Sequence, residues 1–93
     1  MKTTLKSDFP SALRTLRKAR GLSQEEFDTV SGRTYVSALE RGKKDPTLGK
    51  VEQLAEVMKV HPLTLLTLTY APDTAAELEA LFARVQAEIV GMR

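Results

Sequence analysis

Ninety-three residues are enough for one domain with a modest core. At 42% hydrophobic and 28% charged, the composition is that of a soluble globular chain rather than a disordered one. Without cysteine there is neither a disulfide framework nor a thiolate metal site. The low aromatic content, with no Trp, disfavours a stacking platform for single-stranded nucleic acid.

Met1 to Phe9 lack the apolar core of a signal peptide, and no apolar run approaches bilayer length, so the expected compartment is the cytosol with no membrane contact. The net charge is only +2, but it is unevenly spread. Residues 1–60 hold 12 Lys and Arg against 8 acids, and residues 61–93 hold Arg84 and Arg93 against four acids. The excess points weakly to a polyanion partner for the first two thirds. On charge alone a solvated mixed-charge surface is the better reading.

The pattern predicts helices throughout. A first helix is expected to be capped by Ser7 or Asp8, with Pro10 in its first turn, an apolar stripe of Phe9, Ala12, Leu13 and Leu16, and Gly21 as its stop. Ser23-Gln24-Glu25-Glu26 reads as a capping box opening a second helix, with Phe27 and Val30 inward and Ser31-Gly32 ending it after barely two turns. A third short helix runs from Arg33 or Thr34 to Arg41 with Val36 and Leu39 inward, and Gly42 ends it. After the loop Lys43 to Pro46, Thr47 caps a fourth helix with the stripe Leu48, Val51, Leu54, Ala55 and Met58, despite the local cost of Gly49. His61 is expected to cap a fifth helix begun by Pro62, with Leu63, Leu66 and Tyr70 on the inner face. Ala71-Pro72-Asp73 then separates a last helix, with Thr74 and Glu77 as a second capping box.

No strand-length alternation is present, so the fold class is all-α: a five-helix domain over residues 1–71 and a C-terminal amphipathic helix within residues 72–93. Leu78, Leu81, Phe82, Val85 and Ile89 mark that last helix as a dimerisation element that would form an isologous interface. The alternative is that the stripe packs back on its own chain.

Two short helices joined by a Gly-containing turn suit a helix-turn-helix, whose second helix enters the major groove. Arg33, Thr34, Ser37, Ala38 and Arg41 lie away from the Val36/Leu39 side and supply groups suited to base edges, phosphates and thymine methyls. An ordinary polar surface helix has the same periodicity. No catalytic site is expected: the serines lack a base partner, no phosphate-cradling loop is present, and His61, the sole histidine, has no companion metal ligands. No metal, cofactor or effector pocket is expected either.

Gly21 to Phe27, followed by Ser37-Ala38-Leu39-Glu40-Arg41-Gly42-Lys43-Lys44-Asp45-Pro46-Thr47-Leu48, resembles the Cro/cI-type (xenobiotic-response-element, XRE) helix-turn-helix of bacterial and phage repressors, over about Leu13 to Leu66. The resemblance implies a phage-repressor-like domain that binds a palindromic operator in double-stranded DNA as a homodimer, in a cytoplasmic, nucleoid-associated protein of bacterial or phage origin. It gives Gln24 a phosphate contact and a buttressing role. It pairs Arg17 with Glu40 in a partly buried bridge that orients the recognition helix. Thr34, Ser37 and Ala38, with Arg33 nearby, fall at base-facing positions, and Arg41, Lys43 and Lys44 at phosphate-gripping ones. Antitoxins share the general likeness, so a protein partner bound through the same scaffold is the alternative function.

One departure stands out. Phe27-Asp28 replaces the usual Leu-Ala, and Phe27 and Val36 are nine positions apart, two fewer than the usual pattern. The second helix or the turn is therefore shorter, and Asp28 is expected to face solvent or cap the third helix. This leaves open which of Arg33, Thr34 and Tyr35 reach bases. Tyr35 offers either its hydroxyl to a phosphate or a ring anchored in the core.

Overall fold

A computed structural model describes residues 5–70 and 72–93, with backbone only for residues 5–8 and Arg33. Five α-helices and one 3₁₀ turn follow in order, and no strand occurs among the described residues. Ala71, which opens the expected linker, lies outside them.

Helix α1, Leu5–Ala19, begins ahead of the expected caps at Ser7 and Asp8. Pro10 therefore stands inside the helix, where it removes one intrahelical bond. The stripe Phe9, Ala12, Leu13 and Leu16 is buried as its spacing predicts. The helix closes on Gly21 at φ +72°, where the Leu22 amide reaches the Arg17 carbonyl at 3.1 Å and the Gly21 amide reaches Lys18 at 3.0 Å. This is a Schellman closure, and it needs a left-handed residue at Gly21.

The expected second helix is a single 3₁₀ turn, Gln24–Phe27. The Glu26 carboxylate accepts the Ser23 amide at 3.1 Å, so the capping box forms. The helix goes no further because the chain must reach α2 in two fewer residues: the Val30 and Ser31 amides turn back onto the Phe27 carbonyl at 3.1 and 2.8 Å. Phe27 is fully buried, whereas Val30 is only half-buried. Asp28 faces solvent and closes the 3₁₀ turn, its amide on the Glu25 carbonyl at 3.1 Å; it does not cap the next helix, whose N-cap is Gly32.

Helix α2 is Arg33–Glu40, ended at Gly42, and α3 is Leu48–Met58, capped by Thr47, whose hydroxyl accepts the Lys50 amide at 3.1 Å. Val51, Leu54, Ala55 and Met58 are buried, but Leu48 is 70% exposed and drops out of the expected stripe. As the first residue of α3 it stands at the bundle's edge. Helix α4, Pro62–Thr69, starts with His61 Nδ1 accepting the Leu63 amide at 3.0 Å, the capping role expected of that histidine.

The inner face of α4 differs from the expected one. Leu65 and Thr69 are buried and Leu66 is half-buried, while Leu63 and Tyr70 are exposed. Leucines at 63, 65, 66 and 68 surround this helix with apolar surface, so spacing alone does not choose a side. Packing against α1 and α3 makes the choice, and Thr69 is accommodated because its hydroxyl donates to the Leu65 carbonyl at 3.0 Å.

One core joins Phe9, Leu13 and Leu16 of α1 to Phe27, Val36 and Leu39 of the turn and α2, and to Val51, Leu54, Met58 and Leu65 of α3 and α4. Helix α1 packs against α2 and α4, and α3 against α4 and the 3₁₀ turn. Helix α5, Ala75–Gly91, is capped by the Thr74 hydroxyl on the Glu77 amide at 3.0 Å. None of its side chains is buried.

Candidate nucleic-acid interface

Helix α2 has only eight residues, about 12 Å of rise, too few to be stable alone. Its orientation must come from what its inner face grips. Val36 and Leu39 sink into the core beside Phe27. Below them, at the last turn, Glu40 carries a carboxylate whose side chain is 1% exposed.

That carboxylate is held from three sides. Arg17 of α1 donates through Nε to Glu40 Oε2 at 2.6 Å and through Nη2 to Oε1 at 3.0 Å, a bidentate fork. Gln24 Nε2 of the 3₁₀ turn donates to Oε1 at 3.0 Å. Arg14 lies 3.6 Å away with its own side chain half in solvent. Arg17 also donates through Nη1 to the Leu22 carbonyl at 2.8 Å, so the same guanidinium ties the start of the turn to α1.

Burial pushes the Glu40 carboxyl upward, but the hydrogen bonds from Arg17 and Gln24 and the two guanidinium charges outweigh it, and its pKa lies below the ordinary carboxylate value. The hydrogen bond to Glu40 raises Arg17 in turn, against the cost of burial. α1, the turn and α2 therefore meet at one charged node. The bridging pair and the buttressing part of the Gln24 role are present in the geometry. Arg14 was not singled out from the sequence. Its place one turn before Arg17 on α1 was the available signal.

The outer edge of α2 carries Thr34, exposed, and Arg41, exposed, with Ser37 half-buried between them. Arg41 Nη1 donates to the Ser37 hydroxyl, which joins the two side chains on one ridge. A guanidinium takes no proton, so this contact does not activate Ser37 as a nucleophile. Gly42 at φ +75° closes α2, with the Lys43 amide on the Ala38 carbonyl at 2.9 Å, and exposed Lys43 and Lys44 continue the ridge.

One expected placement needs revision, one takes the second of its two expected forms, and one lies outside the described residues. Ala38 is 6% exposed, so its methyl belongs to the inner side of α2 and not to the outward edge. Val36 and Leu39 flank it on an eight-residue helix pressed on both sides, which leaves a narrower outward arc than the spacing implied. Tyr35 is half-buried with its ring packed on the core, the anchored form of the two considered. The Arg33 side chain lies outside the described residues.

Lys50 is a second residue that sequence reasoning missed. From the first turn of α3 its ammonium donates to the Val30 carbonyl at 2.9 Å and sits 5.4 Å from the centre of the Tyr35 ring. It clamps the shortened turn that leads into α2, and it adds a cation beside the ridge. Nothing in its spacing distinguishes it from an ordinary surface lysine. Arg20 likewise donates to the Met58 carbonyl at 3.0 Å and satisfies the end of α3.

Among the described residues no cluster of His, Asp or Glu could hold a metal ion, and no helix is long and apolar enough to cross a membrane. The site is a ridge of hydroxyl, guanidinium and ammonium donors, with the buried Glu40 carboxylate paired to Arg17 beneath it.

The sequence that builds this site is similar to those of known proteins. The helix-turn-helix family model matches residues 13–65, more than half of the chain. An uncharacterized HTH-type transcriptional regulator of Sinorhizobium fredii, y4dJ, is 41% identical over 56 residues, covering 58% of this chain and 73% of the relative. No solved structure gives a significant match. The matched span takes in α1 from Leu13, the 3₁₀ turn, α2, α3 and α4 to Leu65, with the Arg17–Glu40 node at its centre: the chain belongs to the XRE-type helix-turn-helix family.

Proposed function

We propose that this protein is a transcriptional regulator without catalytic activity, a repressor that binds a palindromic operator in double-stranded DNA as a homodimer in the bacterial or phage-infected cytoplasm. Residues 1–71 form the DNA-reading unit and residues 72–93 the pairing element. The observation that carries this reading is the buried Arg17–Glu40–Gln24 node, which holds α2 with Thr34, Ser37 and Arg41 turned outward. An α-helix with its side chains is about 10–12 Å across, which a major groove about 12 Å wide admits, and α2 presents its outer edge above the node that anchors it.

In the complex, Thr34 and Ser37 meet base edges, with Arg41 reaching a guanine or the adjoining phosphate. Lys43, Lys44 and Lys50 neutralise phosphates, which supplies most of the affinity and makes it salt-dependent. Gln24 buttresses α2 and offers its remaining amide capacity to the backbone. A two-fold dimer sets its two α2 helices about 34 Å apart, one turn of the duplex.

Selection of bound duplexes from random DNA tests the proposal. The expected result is an enriched motif with two-fold symmetry, and equal binding to all sequences in moderate salt refutes it. The exposed Phe82, Val85 and Ile89 of α5 favour a second reading, an antitoxin-like module that takes a partner protein. A stoichiometric partner copurifying with the chain supports that reading, and a homodimer that binds its operator tightly on its own supports the first.

A further inference from the structure

Helix α5 is two different surfaces end to end. Ala75, Leu78, Phe82, Val85, Ile89 and Met92 follow one another in steps of three and four, a single seam along the helix. Its N-terminal half forms one wall of an apolar groove of about 590 Å³, whose other wall is α4; Leu63, Thr67, Leu68, Asp73, Leu78 and Phe82 are among its lining residues. Among the described residues the C-terminal half has no such neighbour: Val85 and Ile89 are 43% exposed and Met92 80%. One half is therefore a groove and the other a bare ridge of matching chemistry.

We infer that two copies of this chain pair through antiparallel α5 helices, each C-terminal ridge filling the other's α4–α5 groove. This rests on the dimeric reading above and adds its orientation and register. A two-fold axis crossing α5 between residues 83 and 84 sets Phe82 against the partner's Val85, Leu78 against the partner's Ile89, and Ala75 against the partner's Met92. All six seam positions are then matched. A parallel pair sets ridge against ridge and leaves both grooves open, so it buries less apolar surface.

Charge supports the same choice. In this register Arg93 at the ridge's end comes beside the partner's Asp73 at the groove. Each of the two symmetry-related contacts pairs opposite charges, and the two helix dipoles lie antiparallel, each N-terminal end beside the partner's C-terminal end. Glu88 is already held by Arg84 of its own helix at 3.0 Å.

Because the chain has no cysteine, introduced thiols report the geometry cleanly. Under mild oxidation the Ala75→Cys/Met92→Cys double variant is expected to form a covalent dimer, while Met92→Cys alone does not. The two positions are about 25 Å apart along one helix, so the double variant does not close on itself. Asp73→Arg is expected to weaken pairing about 3-fold, and Asp73→Arg with Arg93→Asp to restore it. Cross-linking of Met92→Cys alone shows a parallel pair, which overturns this inference and leaves the operator-binding dimer standing. A wild-type chain that sediments as a monomer at tens of micromolar overturns both the inference and the dimer. A monomer that still selects a DNA motif keeps the DNA-binding part alone.

Discussion

Replacing Glu40 by Ala isolates the node beneath α2. The substitution removes the acceptor of two Arg17 bonds, at 2.6 and 3.0 Å, and of one Gln24 bond at 3.0 Å. Arg17 keeps only the Leu22 carbonyl, and its guanidinium stays in a site where its side chain is 11% exposed. One-sided loss of a buried ion pair costs about 3–5 kcal/mol. A chain of this length has about 5–14 kcal/mol in all, so the loss is a large share. At about 4–8 °C per kcal/mol, the melting temperature falls by at least about 10 °C. Urea unfolding followed by circular dichroism gives the free energy directly. Arg14→Ala is the control: that side chain is half in solvent at 3.6 Å, and its loss costs less than about 1 kcal/mol. Replacing both partners by apolar residues, Arg17→Met with Glu40→Leu, recovers most of the loss because no buried charge is left alone. A Glu40→Ala variant within about 1 kcal/mol of wild type refutes the view that this node fixes α2.

Four further outcomes follow from the structure. Glu40 has a lower pKa folded than unfolded, so its stabilisation is complete above the unfolded value of about 4.3 and is lost as pH falls through the folded one; Glu40→Gln should show a shallower acid loss in the same unfolding assay run from pH 6 downward. Lys59 closes α3 at φ 60°, a left-handed conformation that favours glycine, so Lys59→Gly should raise the unfolding free energy by about 0.5–1 kcal/mol. In binding titrations at several salt concentrations, Lys43→Ala and Lys44→Ala should weaken all duplexes alike and each lower the salt slope by about 0.9. Thr34→Ala should instead change the preferred sequence, at about 1–3 kcal/mol where a base contact is lost.

The helices, their caps and most of the core were legible along the chain because each depends on residues a few positions apart. Thr47, His61 and Thr74 cap where spacing puts them, and Phe9, Leu13, Val36, Leu39 and Leu54 are buried as their periodicity requires. The resemblance in Gly21 to Leu48 located the Arg17–Glu40 pair, although 23 residues separate its members. What local pattern does not encode is which side of an element meets its neighbours. The all-round apolar surface of α4 was resolved only by contact with α1 and α3, which buried Leu65 and Thr69 in place of Leu63 and Tyr70. The missing two residues before α2 turned a helix into one 3₁₀ turn, because closing that distance leaves no room for a second turn. Ala38 moved inward and Lys50 became a clamp for the same reason: both depend on the distance between two elements in space, which no spacing within either element records.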